Sequence, residues 1–247
     1  MKLTYLFIFF NSFLLFGQNL QVTYKASYNG TSVKEGIELA KKNNIPNGQL
    51  QGFKYYLQKV KDDIENQKII LNTIGDDQFI LSLPSSVDSD YSLVRSIAPV
   101  SLGLYDYLYS KGANIIIGVN DLNDHAVLYD DKQATWLVTS ESKNILGFEC
   151  FKATIKYKQS LPRQFARDHV EAWFAPSINK RGGPIVYTNL PGLILEVKVR
   201  NATITASNIE TGENKVLKET TKQIITEFES HKKATLVGKA IEERIKK

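Results

Sequence analysis

The feature that most constrains this chain is a succession of short segments in which apolar and polar residues alternate. Residues 20–28 are the clearest case, with apolar side chains at every second position and polar ones between them. The same period-two pattern predicts further strands at 78–83, 114–119, 125–129, 135–139, 151–157, 170–174 and 193–199. Because no long helical pattern separates the segments from 78 to 199, the strands are expected to pair mainly antiparallel.

Two segments show helical spacing instead. From 50 to 67, apolar residues recur at steps of three and four, which predicts a helix packed on the sheet. Residues 233–247 have a similar pattern and predict a closing helix, whereas residues 84–110 are interpreted as a loop with a short helix. The predicted fold is therefore mainly β (α+β), a strongly twisted antiparallel sheet that is either open or curled into a half-barrel.

The first 17 residues have the pattern of a signal peptide. Lys2 precedes an apolar run that ends near Gly17, and this run is shorter than the roughly 20 residues needed to span a membrane. Cleavage after Gly17 would leave residues 18–247 as one domain without a transmembrane helix. The predicted location is the periplasm or the outer-membrane periphery, or outside the cell. Because Cys150 is the only cysteine, neither a lipoprotein nor an intramolecular disulfide is expected.

The charges are nearly balanced and dispersed. Lys and Arg total 31, Asp and Glu total 26, and the two signs are interleaved along the chain. A nucleic-acid-binding surface concentrates its basic residues in a patch or stripe. The sequence therefore predicts no nucleic-acid partner.

Few residues are arranged for catalysis. The three histidines are His125, His169 and His231, and no Gly-x-Ser-x-Gly motif accompanies any of them. Cys150 lies in the middle of a predicted strand, where a free cysteine normally acts as a small buried apolar residue. We therefore predict no catalytic residue and no enzymatic activity.

One acidic cluster has the residue types of a metal site. Its members are Asp121, Asp124, His125, Asp130 and Asp131. Their spacing fits neither a calcium loop with its central glycine nor a zinc-binding pair of histidines on a helix. We interpret them as solvated ends of a hairpin and predict no metal and no cofactor.

The segment from 136 to 199 carries more specific motifs. They comprise Trp136, Gly147, Cys150, Lys152, Trp173, Pro176, Gly183, Pro184, Asn189, Leu190, Pro191, Gly192, Leu193 and Ile194. In this order they resemble the GLPGLI family, which consists of exported proteins of Gram-negative envelopes with unknown molecular function. Asn189 stands where the hexapeptide of that family begins with Gly. If the position needs a positive φ, Asn is a common substitute.

Two roles are open for these motif residues. The turns at Gly183-Pro184 and at 189–192 either set the register of strands or form the rim of a binding mouth. Trp136 and Trp173 are either core anchors or a platform for a ligand.

From the predicted export, the β-rich fold and the missing catalytic motifs, the expected function is a non-catalytic binding module of the envelope. Its expected partner is a hydrophobic small ligand, lipid-like in character, or a peptide. The alternative is an interaction or scaffold partner of an envelope transport or surface complex. An envelope hydrolase is the third hypothesis, and it requires His125 or His169 beside an acidic residue and a nucleophile in one cleft.

Overall fold

The computed structural model describes residues 18–30, 32–84, 104–111, 114–121, 123–157, 170–199 and 202–245. Within them, twelve strands form one twisted sheet that is not closed into a barrel. In chain order the strands are β1 (Leu20–Tyr28), β2 (Ile69–Ile74), β3 (Gln78–Ser82), β4 (Tyr107–Ser110), β5 (Ile115–Val119), β6 (His125–Asp130), β7 (Ala134–Ile145), β8 (Phe148–Tyr157), β9 (Glu171–Ala175), β10 (Leu193–Val199), β11 (Ala202–Thr211) and β12 (Gln223–Thr226).

The order of strands across the sheet is β12-β6-β5-β4-β3-β2-β1-β11-β10-β9-β8-β7. Only β12 and β6 pair in parallel among these neighbours, so the prediction of a mainly antiparallel, β-rich fold is confirmed. Strands β2, β11 and β12 were not predicted. Strand β4 lies in the segment interpreted as a loop, and residues 85–103 of that segment lie outside the described residues.

Three helices accompany the sheet in the described part of the chain: α1 (Val33–Lys42), α2 (Asn47–Asn66) and α3 (Glu227–Ile245). Helix α2 confirms the helix predicted for 50–67, and α3 begins six residues before the predicted start at 233. Helix α1 was missed, although Ser32 and Glu35 form a capping box at its start. None of these helices is long and apolar enough to cross a membrane.

The inner face of the sheet is covered by residues 176–192, which we call the inner segment. It contains neither helix nor strand, yet most of its side chains are buried in the main hydrophobic core. Its apolar members in this core are Ile178, Ile185, Val186, Tyr187 and Leu190. The inner face is therefore filled by the chain itself.

Close contacts require glycine at two positions of the inner segment. A Cβ atom on Gly183 would lie 2.6 Å from the side chain of Ile194, and one on Gly192 would lie 2.4 Å from the carbonyl oxygen of Ala175. Gly192 also has a φ of 144°, which L-residues rarely adopt. The two glycines let the inner segment approach the strands on either side of it.

The outer face of the sheet is covered over only part of its area. On β3 to β6, a second apolar cluster contains Ile80, Tyr109 and Ile117, and Leu217 from the segment after β11 packs against it. The ammonium of Lys222 holds that segment in place by donating hydrogen bonds to the backbone carbonyls of three residues. These are Asn120 (2.6 Å), Asp121 (3.1 Å) and Asn123 (2.6 Å). On β7 to β11 the outward side chains are mostly polar.

The hairpin of β7 and β8 yields a stability prediction. Its two turn residues, Leu146 and Gly147, have φ values of 53° and 87°, which is the pattern of a type I′ turn. A branched side chain such as Leu is strained in that conformation, and Leu146 is 46% exposed. Leu146→Asn is therefore expected to raise the free energy of unfolding by about 1 kcal/mol.

Urea denaturation of the two proteins measures this change. Gly147→Ala is the matched control, and it should lower stability because alanine does not tolerate a φ of 87°. A loss of stability in Leu146→Asn would show that the turn does not have this conformation.

Candidate functional site

Trp173 lies at the centre of a polar region on the outer face. Its neighbours along β9, Ala172 and Phe174, are buried, so the side chain of Trp173 projects from the opposite side of the sheet, where it is half-buried and packs against the edge of the main core. The strand register places Lys152 of β8 on one side of Trp173 and Glu196 of β10 on the other. Adjacent side chains in such a row are close enough to interact directly.

Charged groups surround the indole ring. The Nζ of Lys143 lies 4.3 Å from the centroid of the Trp173 ring, within the range of a cation–π interaction. The same Nζ donates to Oε1 of Glu196 at 2.7 Å, while Oε2 of Glu196 accepts a hydrogen bond of 3.0 Å from Thr205. The carboxylate and the ammonium are therefore held beside the ring by defined contacts.

A second set of charges extends this region toward β7. The Nζ of Lys152 lies 3.1 Å from Oε2 of Glu171 and 3.2 Å from Oε2 of Glu141. Hydrogen bonds to Glu171 and Glu141 raise the pKa of Lys152, which keeps it charged. We call the combined surface the Trp173 face. It consists of Glu141, Lys143, Lys152, Glu171, Trp173 and Glu196.

The Trp173 face suits a particular ligand chemistry. An aromatic ring offers an apolar surface for C–H groups, and the alternating ammonium and carboxylate groups offer donors and acceptors for hydroxyls. Because these side chains project from regular strands, their spacing is fixed by the sheet. Such a surface can bind a ligand that has an apolar face and many hydroxyl groups.

Trp136 and Cys150 do not belong to the Trp173 face. Trp136 packs against the main core from β7, and its indole N–H is buried without a hydrogen-bond partner among the described residues. Cys150 is fully buried on β8, and burial raises its pKa to about 11. The thiol is therefore protonated at neutral pH and unsuited to nucleophilic attack.

The remaining motif residues lie in or beside the inner segment, apart from Gly147 in the hairpin turn. Most of them are buried, with Pro176, Asn189 and Pro191 exposed. Asn189 does not have a positive φ, and its side-chain amide donates to the carbonyl oxygen of Asp131 at 3.3 Å. The buried members are Gly183, Pro184, Leu190, Gly192, Leu193 and Ile194.

Asp131 is the main polar anchor of the inner segment. Its fully buried carboxylate accepts hydrogen bonds of 2.9 Å from the backbone N–H of Thr188 and from the guanidinium of Arg181. Burial raises the pKa of Asp131 to about 6, although these two partners act in the opposite direction. A second anchor is Lys180, whose ammonium donates to Asp76 at 2.6 Å and to the Gly75 carbonyl at 3.0 Å.

The acidic cluster noted in the sequence does not converge on one point. Asp131 faces inward, whereas Asp124 is 81% exposed and contacts His125. Within the described ranges, no three His, Cys, Asp or Glu side chains are grouped so that they could hold a metal ion.

A hydrogen-bonded relay connects Asp124, His125 and Ser230. Oδ1 of Asp124 lies 2.5 Å from Nδ1 of His125, and Nε2 of His125 lies 3.3 Å from Oγ of Ser230. The hydrogen bond with His125 lowers the pKa of Asp124, so its carboxylate is charged. This carboxylate can fix the tautomer of His125 that leaves Nε2 able to accept a proton from Ser230.

The sequence pattern singled out His125 but did not connect it to a nucleophile. Ser230 lies on α3, 105 residues later in the chain, and no local motif marks it. The Trp173 face was missed as a unit for a similar reason, because its members come from four strands. Alternation in β8 to β10 places their side chains outward, but it does not reveal which strands are neighbours.

The fold and these sites define a β-sheet protein with an open polar face and a candidate serine–histidine–aspartate relay. A family profile described as the N-terminal domain of N-glycanase peptide (PNGase F-II) matches residues 109–235, just over half of the chain. The chain therefore belongs to this N-glycanase N-terminal domain family. No curated protein matches this chain.

Solved structures are more distant. Two structures of PNGF-II, in space groups C2 and P21, are each 16% identical to this chain, with TM-scores of 0.49 and 0.48. They cover 85% of this chain, which spans 31% and 32% of their length. An uncharacterised conserved protein from Thermus thermophilus is 8% identical, with a TM-score of 0.32 and coverage of 91% of this chain and 99% of its own.

The assignment to the GLPGLI family is wrong, because the profile that matches is that of the N-glycanase N-terminal domain and it includes the whole segment 136–199. The physical reason lies in what the motif residues do. Gly183 and Gly192 permit close packing, while Leu193 and Ile194 are fully buried. Residues of this kind determine how the inner segment packs on the sheet, and proteins of different function can share such packing.

The predicted function is also corrected. A non-catalytic module for a lipid-like or peptide ligand, with a scaffold protein as the alternative, is contradicted by membership of an N-glycanase family. The expectation of no enzymatic activity is contradicted by the same match. The expected hydrophobic ligand also finds no room on the inner face in the described part of the chain, because the inner segment fills that face with its own side chains.

Replacing Asp131 with Asn is expected to change how stability depends on pH. Because burial raises the pKa of Asp131 from 3.8 to about 6, the folded protein holds this proton more tightly than the unfolded chain does. The stabilising contribution is complete below about pH 4 and falls by about 3 kcal/mol as the pH rises to about 7. The amide of the Asp131→Asn variant cannot titrate, so this variant should lack the change.

Urea unfolding of both proteins at these two pH values measures the effect. The wild type should lose stability relative to Asp131→Asn as the pH increases. An equal difference in stability at both pH values would contradict the assignment.

Proposed function

We propose that this chain takes part in the removal of N-linked glycans from peptides, and that the Trp173 face holds the glycan. Membership of the N-glycanase N-terminal domain family supports the substrate class. The observation that carries the proposal is the arrangement of Trp173 between Lys143, Lys152 and Glu196. All residues of the Trp173 face lie within the matched range 109–235.

Sugar rings fit this surface for a physical reason. One side of a pyranose ring presents C–H groups that can stack on an indole, while its hydroxyls point outward and require donors and acceptors. In the free protein, the ammonium of Lys143 lies over the Trp173 ring. A bound sugar takes that place, and Lys143 and Glu196 then contact its hydroxyl groups.

The location of the protein is part of the same proposal. The apolar segment after Lys2 is typical of export, and N-glycosylated peptides from a host or a nutrient source occur outside the cytoplasm. We therefore propose that the substrate is met in the periplasm, at the outer membrane or outside the cell.

Trp173→Ala should weaken the binding of an N-linked oligosaccharide by about tenfold or more, since a central aromatic anchor contributes at least about 1.4 kcal/mol. Trp173→Phe should retain part of the affinity because it keeps an aromatic ring. Calorimetric titration of the full chain with a released N-glycan measures both values.

Tyr55→Ala serves as the control, because Tyr55 is a 69% exposed aromatic residue on α2, away from the Trp173 face. It should bind the glycan as the wild type does. Equal affinity of the wild type and Trp173→Ala, with both proteins folded, would refute the assignment of this surface.

A second candidate function is hydrolysis at Ser230, and the relay from Asp124 through His125 to Ser230 favours it. In this reaction Oγ of Ser230 attacks an ester or amide carbonyl while its proton passes to Nε2 of His125. The leaving group then receives that proton, and water releases the acyl group in a second step. An N-linked glycan is joined to its peptide by an amide bond, so this chemistry is compatible with the substrate class.

A fluorophosphonate probe tests the reactivity of Ser230 without a known substrate. The wild type should form a covalent adduct as Ser230 displaces fluoride, and both Ser230→Ala and His125→Asn should lose labelling. Ser140→Ala, which removes an exposed hydroxyl outside the relay, should be labelled like the wild type. Absence of labelling in the wild type, or labelling that persists in Ser230→Ala, would exclude this function.

A further inference from the structure

Strand β7 is at one end of the sheet. It pairs with β8 along one side, and no strand lies along its other side in the described part of the chain. Free edges of this kind can accept an additional strand through their backbone groups. Strand addition therefore depends on which backbone groups of β7 point away from β8.

The pairing register shows which way the backbone groups point in the first half of β7. The N–H of Ile155 donates to the carbonyl oxygen of Val170, which lies on the β9 side of β8. In antiparallel pairing, the N–H and C=O of one residue point to the same neighbour. Ile155 is paired with Trp136, so the backbone groups of Trp136 point away from β8 and toward the free edge.

Because the direction of the backbone groups alternates along a strand, the same assignment applies two residues further on, at Val138. Ala153 has the same orientation as Ile155 and is paired with Val138, so the N–H and C=O of Val138 also point outward. The turn at the far end of the hairpin provides an independent check. Ile145 and Phe148 flank a two-residue turn and form a hydrogen-bonded pair, so the backbone groups of Phe148 point toward β7. Because this direction alternates from residue to residue along β8, the backbone groups of Ala153 point toward β9, in agreement with the assignment from Ile155.

The edge from 134 to 138 has few of the features that normally prevent strand addition. Its residues carry no charge and include no proline. Leu137 and Val138 are 52% and 53% exposed, although both are apolar. A feature that hinders strand addition occurs only after Val138, where the register with β8 shifts between Val138 and Ser142.

This edge is continuous with the Trp173 face. Leu137 is paired with Thr154, which in turn is paired with Glu171, and Glu141 lies on β7 itself. A strand added beside β7 would be three strand spacings from β9, or about 14 Å. A short oligosaccharide attached to a side chain of that strand can span this distance across the outer face.

We propose that the β7 edge at 134–138 binds the peptide part of the N-glycosylated substrate by strand addition. The peptide lies extended along β7, and its backbone exchanges hydrogen bonds with Trp136 and Val138. Its glycan crosses β7 and β8 to reach Trp173. This inference rests on the proposed function, because it assigns the second half of the same substrate.

The variant Val138→Pro tests the edge directly. Proline removes the outward N–H of Val138 but breaks no hydrogen bond between β7 and β8. Val138→Thr is the matched control, since it retains both the N–H and the β-branched shape. Each full-length variant is titrated with an N-glycopeptide, with its released glycan and with the unglycosylated peptide.

The wild type and Val138→Thr should bind the glycopeptide at least about tenfold more tightly than the released glycan. Val138→Pro should bind the glycopeptide only as tightly as the glycan. A glycopeptide methylated on its backbone nitrogens should show the same loss with the wild-type protein, which does not depend on the folding of a variant.

The outcomes separate this inference from the proposed function. Equal affinity of Val138→Pro and Val138→Thr for the glycopeptide, together with tolerance of backbone methylation, would overturn strand addition. Dependence of glycan binding on Trp173 would then still support the Trp173 face. Loss of peptide-dependent binding in Val138→Pro would support strand addition, even if Trp173→Ala bound the released glycan normally and so refuted the glycan site.

Discussion

The buried carboxylate of Asp131 determines where the inner segment lies. It accepts hydrogen bonds from the backbone N–H of Thr188 and from the guanidinium of Arg181, and both donors belong to a stretch without secondary structure. A buried ion pair of this kind loses much of its attraction to desolvation, which is why the pKa of Asp131 is raised. Its main effect is to select one position for residues 176–192, while apolar burial supplies the stability.

The position of the inner segment decides which surface remains available for a ligand. Because the inner face is filled, the outer face and the edge of the sheet are the surfaces left for the proposed recognition of a substrate. On β3 to β6, Leu217 of the segment that Lys222 anchors packs on the outer face, whereas the outward side chains of β7 to β11 are mostly polar. The Trp173 face and the β7 edge both lie on β7 to β11, whereas the Ser230 relay joins β6 and α3 at the opposite end of the strand order.

The sequence predicted most of the strands, because apolar and polar residues alternate along a strand that has one face buried and the other exposed to solvent. It failed at β2, where Leu71, Asn72 and Thr73 are all buried and no alternation exists. Strand β12 is only four residues long and pairs in parallel, so little in its sequence marks it. In contrast, β11 alternates clearly and α1 begins with a capping box, so both could have been predicted.

The candidate sites were less predictable than the fold. The inner segment is buried without regular structure, and periodicity cannot detect such a segment. Its glycines and prolines were therefore open to interpretation as binding turns, although Gly183 and Gly192 serve packing. The contacts of Lys143 with Trp173 and of His125 with Ser230 depend on strand order and helix placement, which no local pattern contains.

Substrate binding on the outer face is tested most directly by NMR, by mapping the amide shifts of the isotope-labelled protein during titration with an N-glycopeptide. We expect the perturbed amides to cluster on β7 to β10, around Val138, Lys152, Trp173 and Glu196. The inner segment should be unaffected, because most of its residues are buried and it lies on the inner face of the sheet. Perturbations centred on residues 176–192, or none on β7 to β10, would contradict the central claim that this domain recognises its substrate on the outer face.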